Sequence, residues 1–144
     1  MQLRLLTDEA YNRISTLREV LHKQNRGYGI ITIKIHNLTF ALPLRSNLNH
    51  SHGFKTVFHN GQWNGIDYSK ALIIEDIDLR ATPFRPRNRS EYDKIKKNKK
   101  KIQEKFEEYL TSYINFPKED GREIYRRFGY TTLVNYHAEL NITP

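Results

Sequence analysis

Residues 28–44 read YGIITIKIHNLTFALPL. Ile31, Ile33 and Ile35 alternate with Thr32 and Lys34, the two-residue period of a half-buried strand. A second β-prone run, LTFALPL, follows after only His36 and Asn37. Two strands joined by two turn residues close as an antiparallel hairpin. That hairpin bars a parallel α/β sheet, because no helix separates the central strands. Pro43 has no N–H to give to a ladder, so the second strand is predicted to lie at an edge or to lose its pairing near its end.

The remaining pattern places helices on both sides of these strands. Residues 1–6 suit a short strand, and Thr7 with Asp8 suits the N-cap of a helix carrying Ala10, Ile14, Leu17, Val20 and Leu21 and ending by Gly27. After the hairpin, TVFH reads as a short strand, Asn60-Gly61 as a turn, GQWNG as turn-rich chain and residues 71–74 as a strand. Residues 76–89 hold two prolines and four arginines and read as a connection. Ser90 with Asp93 resembles a capping box. It opens one long helix through Tyr92, Ile95, Ile102, Phe106, Tyr109, Leu110 and Tyr113, its stripe interrupted at Asn98 and Lys99 and its end set by Pro117. Shorter helices are expected over 120–128 and 132–140. The fold class is α+β, in one domain over residues 1–144.

Charge is concentrated. The net charge is +8, and residues 80–101 contain ten cations (Arg80, Arg85, Arg87, Arg89, Lys94, Lys96, Lys97, Lys99, Lys100 and Lys101) against Glu91 and Asp93. The other residues are balanced. A basic run spanning a loop and a helix favours a polyanion partner, because each phosphate neutralised releases counterions. The bland alternative is a helix face kept positive for solubility. There is no cysteine, so disulfides, thiolate metal sites and cysteine nucleophiles are excluded. No run of eighteen apolar residues is present, and the chain reads as unsecreted, cytoplasmic and without a membrane segment.

Behind the second strand lies RSNLNHSHGFKT, residues 45–56. It is either a solvated connection or part of an active site. No phosphate-binding glycine loop, GxSxG elbow or HExxH is present. His50 and His52 have no acidic partner in their loop, so they read as solvated histidines and no metal or other cofactor is expected. Metal-free RNA cleavage suits such a residue set, because the substrate's 2′-hydroxyl is the nucleophile. The protein must only move protons and stabilise charge. Arg45, Lys55 and Lys70 are charge stabilisers by type, and Ser46 and Thr56 are short donors. His50, Asp67 or Tyr68 could move protons. DYSK, residues 67–70, begins where another strand is expected, and in an antiparallel sheet it can neighbour the loop. Tyr28, Phe54, Trp63 and Tyr68 could stack unpaired bases or fill the core; Trp63, in its turn-rich setting, is the best candidate for exposure.

The runs RGYGIITIKIHNLTFALPLRSN, GFKT, GIDYSKALII and TTLVNYHAEL together resemble the toxins of bacterial type III toxin–antitoxin systems, the ToxN/AbiQ superfamily, and are most similar to its shorter TenpN-like members. This resemblance implies a strongly twisted antiparallel sheet flanked by helices, similar to Kid and MazF toxins. It implies a metal-independent endoribonuclease that cuts single-stranded RNA to 2′,3′-cyclic phosphate and 5′-hydroxyl ends. It also implies a small pseudoknot RNA antitoxin, processed from a repeat-bearing precursor, that closes around several toxin protomers, and in some members a role in phage defence. Its motif after the A-P-L strand falls on Arg45 and Ser46. The lysine expected two residues after the serine is Leu48 here, so Lys55, with Thr56, is assigned the cationic role. Lys70 matches a lysine at the following strand start. Ser46 is then a phosphate ligand, Arg45 and Lys55 stabilise the transition state, and His50 or Asp67 transfers protons. A non-catalytic RNA-binding module using residues 80–101 is the alternative.

Overall fold

The computed structural model describes residues 1–21, 29–86 and 88–143. β1 (Gln2–Leu5) leads to Thr7, whose hydroxyl accepts the Ala10 N–H at 3.1 Å and caps α1 (Asp8–Ile14). The helix is shorter than its apolar stripe predicts. Ser15 and Thr16 hydroxyls donate back to the carbonyls of Asn12 and Arg13, and Glu19 takes a positive φ of 64°. Val20 nonetheless joins the cluster that buries Ala10 and Ile14. The expected helix end near Gly27 falls outside the described residues.

β2 (Gly29–Ile35) and β3 (Leu38–Arg45) form the predicted hairpin, in register from Ile35↔Leu38 to Ile30↔Pro43. His36 and Asn37 both have positive φ, 52° and 65°, as a two-residue hairpin turn with matching twist requires. β3 is interior, which corrects the edge placement expected from Pro43. Its second edge pairs with β6 (Leu72–Ile74) over residues 39–41 and with β5 (Gln62–Asp67) at Leu44 and Arg45. Pro43 sits in the gap between these partners, where a ladder donor is least needed.

β4 (Gly53–His59) turns at Asn60 (φ 51°) and Gly61 (φ 78°) directly into β5. Apart from Gly61, the GQWNG run is therefore strand, not turn. The order β1-β2-β3-β5-β4, with β6 also on β3, gives an antiparallel six-stranded sheet among the described residues.

Alternation along β2 and β3 divides the core between the two faces of the sheet. Ile30, Ala41, Leu72 and Ile74 meet Leu6, Ala10 and Ile14 on one side. Ile31, Ile33, Phe40, Leu42 and Leu44 meet Ile102, Phe106, Leu110 and Tyr113 on the other. The latter come from α3 (Lys99–Asn115), which is separate from α2 (Arg89–Lys97), not one long helix. At Asn98 the backbone leaves helical geometry (φ −113°, ψ 21°), while its side-chain amide donates to Lys94 O at 2.8 Å. Asn88, not Ser90, caps α2 by accepting the Glu91 N–H at 3.1 Å. α4 (Gly121–Phe128) starts on the Asp120 cap and ends at Gly129, whose φ of 77° and ψ of −170° suit glycine alone. The last predicted helix is a 3₁₀ turn, Thr132–Asn135. The Asn135 amide takes the Thr132 carbonyl that an α-turn would use, and Tyr136 N–H bonds Leu133 O instead.

Candidate functional site

The site forms where β3, β5 and β4 run side by side. Arg45 pairs with Gly65, and Gly65 pairs with Lys55, so the three residues make one row across the ribbon and present one face. Gly65 contributes no side chain to this row because the following loop occupies its place. The Leu48 side chain is buried over Gly65 and Gly53, and a Cβ on Gly65 would lie 2.5 Å from Leu48 Cδ2 and from Phe54 O. Leu48 N–H donates to Trp63 O at 2.7 Å. The position that the family resemblance would give to lysine is thus an apolar plug. Ser46 lies exposed at the strand exit, and Asn47 turns the chain with a φ of 62°.

Asp67, at the end of β5, organises the side chains around this row. It is fully buried. Its Oδ2 accepts from Arg45 at 2.8 Å and from His50 Nε2 at 3.2 Å, and its Oδ1 accepts Ser69 N–H at 3.0 Å and the Ser69 hydroxyl at 2.6 Å. Burial alone would push the carboxyl pKa up; hydrogen bonds from His50, Ser69 and Arg45 outweigh it and hold the pKa below the ordinary value. The carboxylate is an acceptor with every site filled, which suits orientation of its neighbours. His50 is equally committed. Its Nδ1 accepts the His52 backbone N–H at 3.0 Å, which fixes the ring proton on Nε2, toward Asp67. His50 is half-buried and pinned, and His52 is half-buried in a cleft wall, which corrects the picture of two solvated histidines.

Several other sequence candidates lie elsewhere. Thr56 is buried, and its hydroxyl donates to the buried carboxylate of Glu91, so a phosphate does not reach it in this conformation. Tyr68 is core: its ring contacts Phe106, its hydroxyl donates to Ile102 O at 2.9 Å, and burial pushes its pKa up. It is not an exposed stacking surface, and Phe54 is likewise buried in the core. The Lys70 ammonium donates to the carbonyls of Glu19 at 2.8 Å and Tyr130 at 2.6 Å, and burial lowers its pKa. Tyr28 and Arg87 fall outside the described residues.

Trp63 is exposed as expected. Its ring meets exposed Phe58 edge-on, with Lys55 Nζ at 5.8 Å and Lys94 Nζ at 6.0 Å from the ring centroid. The basic segment therefore reaches the site at Lys94. Its other cations spread out: Arg80 pairs with Asp8, Arg85 and Lys96 lie over Tyr92, Arg89 pairs with Asp93 and Lys100 with Glu104. Lys97, Lys99 and Lys101 are exposed.

Around the end of the sheet from Arg45, a cleft of about 650 Å³ opens between Ser51–His52–Gly53, α3 and α4. His52 lines it beside Tyr109, Lys105, Arg126 and Arg127, with its ring centroid 5.6 Å from that of His50 and 5.8 Å from that of Tyr109. Burial and the neighbouring His50 hold the His52 pKa below the ordinary value, while Asp67 opposes them. The roles of Ser69 and His52 were missed in the sequence. The D-x-S spacing of Asp67 and Ser69 is the one local signal, since an Asp side chain commonly accepts the N–H two residues on. Among the described residues, no group of three or more His, Asp or Glu side chains could hold a metal ion. No helix there is long and apolar enough to cross a membrane.

No family model matches the chain, and no curated protein matches it in sequence. Among solved structures the chain is similar to AbiQ, described as a lactococcal anti-phage endoribonuclease belonging to the type-III toxin–antitoxin system. The TM-score is 0.62 at 16% identity, over 97% of this chain and 96% of that one. The chain thus has the α+β fold of AbiQ across nearly its whole described length.

Proposed function

We propose that this chain is an endoribonuclease toxin of a type III toxin–antitoxin system, acting as one domain over residues 1–144. The observation that carries this reading is the row Arg45–Gly65–Lys55. It sets Arg45 and Lys55 on one face, next to Ser46 at the strand exit and to the Asp67 network that holds Arg45, whereas Thr56 and Lys70 are engaged elsewhere. The fold shared with AbiQ supports the same reaction class.

The reaction proposed is attack of a 2′-hydroxyl on the adjacent phosphate, leaving a 2′,3′-cyclic phosphate and a 5′-hydroxyl without a metal. Arg45 and Lys55 place positive charge where the phosphorane gains negative charge, and Ser46 donates to a phosphate oxygen. Arg45 is suited to this because Asp67 fixes one end of its guanidinium. Lys70 contributes positive potential from behind the site, with its ammonium already held by two carbonyls. Trp63, Lys94 and the exposed lysines 97, 99 and 101 would guide single-stranded RNA of the host or a phage toward the row. The same surface would bind a small repeat-derived pseudoknot RNA antitoxin, which occludes it within a closed assembly of several protomers in the cytoplasm.

Incubation of purified protein with single-stranded RNA in EDTA tests the reading. New 5′-hydroxyl ends are expected, with the rate lowered at least about 100-fold in Lys55→Ala. The exposed lysines on α2 and α3 also fit a module that binds RNA without cutting it. That reading predicts RNA intact after prolonged incubation with wild type, and steep salt dependence of binding.

A further inference from the structure

We propose that His52, not His50, exchanges a proton with the RNA, and that the cleft holding its imidazole receives the nucleotide bearing the attacking 2′-hydroxyl. The inference rests on the ribonuclease reading above. His50 has no ring nitrogen to spare: Nδ1 accepts the His52 N–H and Nε2 faces Asp67. His52 contrasts with it. Among the described residues neither of its ring nitrogens has a hydrogen-bond partner, yet the ring is positioned. Tyr109 lies 5.8 Å away by centroid, and Gly129 is packed so close that a Cβ there would be 3.3 Å from His52 Cδ2. An imidazole held by packing and left chemically free fits a proton-transfer group better than one tied at both ends.

The surroundings suit a nucleotide. The cleft volume of about 650 Å³ lies within the range of about 300–1,000 Å³ typical of ligand sites. Tyr109 and Phe128 give it apolar surface, and Lys105 and Arg127 give it positive charge. Arg126 is paired with Glu123 at 2.8 Å. Side chains link the cleft to the charge-stabilising row, although no residue of the row lines the cleft. From His52 the path runs to His50 at 5.6 Å by centroid, to Asp67 at 3.2 Å and to Arg45 at 2.8 Å. The proposal requires that a phosphate against Arg45 place its 3′-linked ribose within reach of His52.

The step is then balanced as follows. The neutral His52 imidazole accepts the 2′-hydroxyl proton as the 2′-oxygen forms its bond to phosphorus and the bond from phosphorus to the 5′-oxygen breaks. The departing 5′-oxygen takes a proton from solvent water, and His52 returns its own to solvent, so no water is consumed. Lowering of the His52 pKa by burial and His50 keeps the lone pair ready near neutral pH. The charged and titratable groups facing it are His50 and Asp67 at the sheet end, Lys105, Glu108 and Tyr109 on α3, and Glu123, Arg126 and Arg127 on α4.

Single-turnover cleavage of a single-stranded RNA tests this in wild type, His52→Ala, His52→Gln and His50→Ala. Binding is measured in parallel with a 2′-deoxy analogue that cannot be cut. Both His52 variants are expected to lose at least about 100-fold in cleavage rate while binding within threefold of wild type, to lose the acid limb of the pH–rate profile, and to regain activity with added imidazole. His50→Ala should keep the acid limb. Cleavage by either His52 variant within threefold of wild type, or an unchanged acid limb, overturns the assignment. Absence of cleavage by wild type would instead remove the ribonuclease reading itself, and this inference with it.

Discussion

Asp67 carries the largest share of the site's organisation. A buried carboxylate is costly unless its acceptor sites are filled, and here Arg45, His50 and both donors of Ser69 fill them. Asp67→Asn keeps the shape but sets an amide N–H₂ against donors. We expect a loss of about 3 kcal/mol in urea unfolding. The pH dependence has a definite sign. Because the folded pKa lies below the ordinary 3.8, stabilisation by Asp67 is complete above that value and is lost as pH falls through the folded pKa. The wild-type midpoint should therefore drop below about pH 4 more steeply than that of Asp67→Asn. Gly65 offers a second test, because a methyl group there meets both Leu48 and the Phe54 carbonyl. Gly65→Ala should cost about 1–3 kcal/mol, and Leu48→Ala in the same chain should not restore it, since the backbone contact remains. Unfolding midpoints at matched denaturant slope measure both.

At the scale of elements, the hairpin β2–β3 was legible because a period of two and a two-residue turn say the same thing about residues 30–43. The proximity of DYSK to the strand exit was also legible, since antiparallel neighbours share an end. GQWNG was misread for a physical reason. Glycine and asparagine are turn residues by local preference, but Gly65 is a strand residue whose missing side chain admits Leu48 from a loop seventeen positions earlier. No local rule reports that contact. Likewise the interruption at Asn98 was read as lying inside one long helix, whereas the chain breaks there into α2 and α3, and nothing local told that Lys94 would face Trp63 while Lys96 turns to Tyr92. The identity of the histidine that lines the cleft was not legible, because it depends on which ring accepts a backbone N–H. Replacing Lys97, Lys99 and Lys101 by Gln tests the part played by these helices. Their ion pairs, where present, are surface ones, so the melting temperature should hardly move. The slope of log binding constant against log salt for single-stranded RNA should fall by up to about 2.

For the whole molecule, the AbiQ-like sheet places a cationic row and a histidine-lined cleft on either side of one buried carboxylate. Phosphoryl transesterification needs charge stabilisation and proton transfer at one phosphodiester, and the proposal assigns the first to Arg45 and Lys55 and the second to His52. A locus encoding short tandem repeats ahead of a terminator, immediately upstream of the coding region, would supply the proposed RNA partner. Its transcript should bind the wild-type protein and suppress cleavage in a mixing experiment. The most direct measurement is end-mapping of RNA cut by the purified protein in EDTA. The account predicts fragments bearing 5′-hydroxyl and 2′,3′-cyclic phosphate ends, formed by wild type and at least about 100-fold more slowly by Lys55→Ala. Fragments with 5′-phosphate ends, equal cleavage by the two proteins, or intact RNA would contradict it.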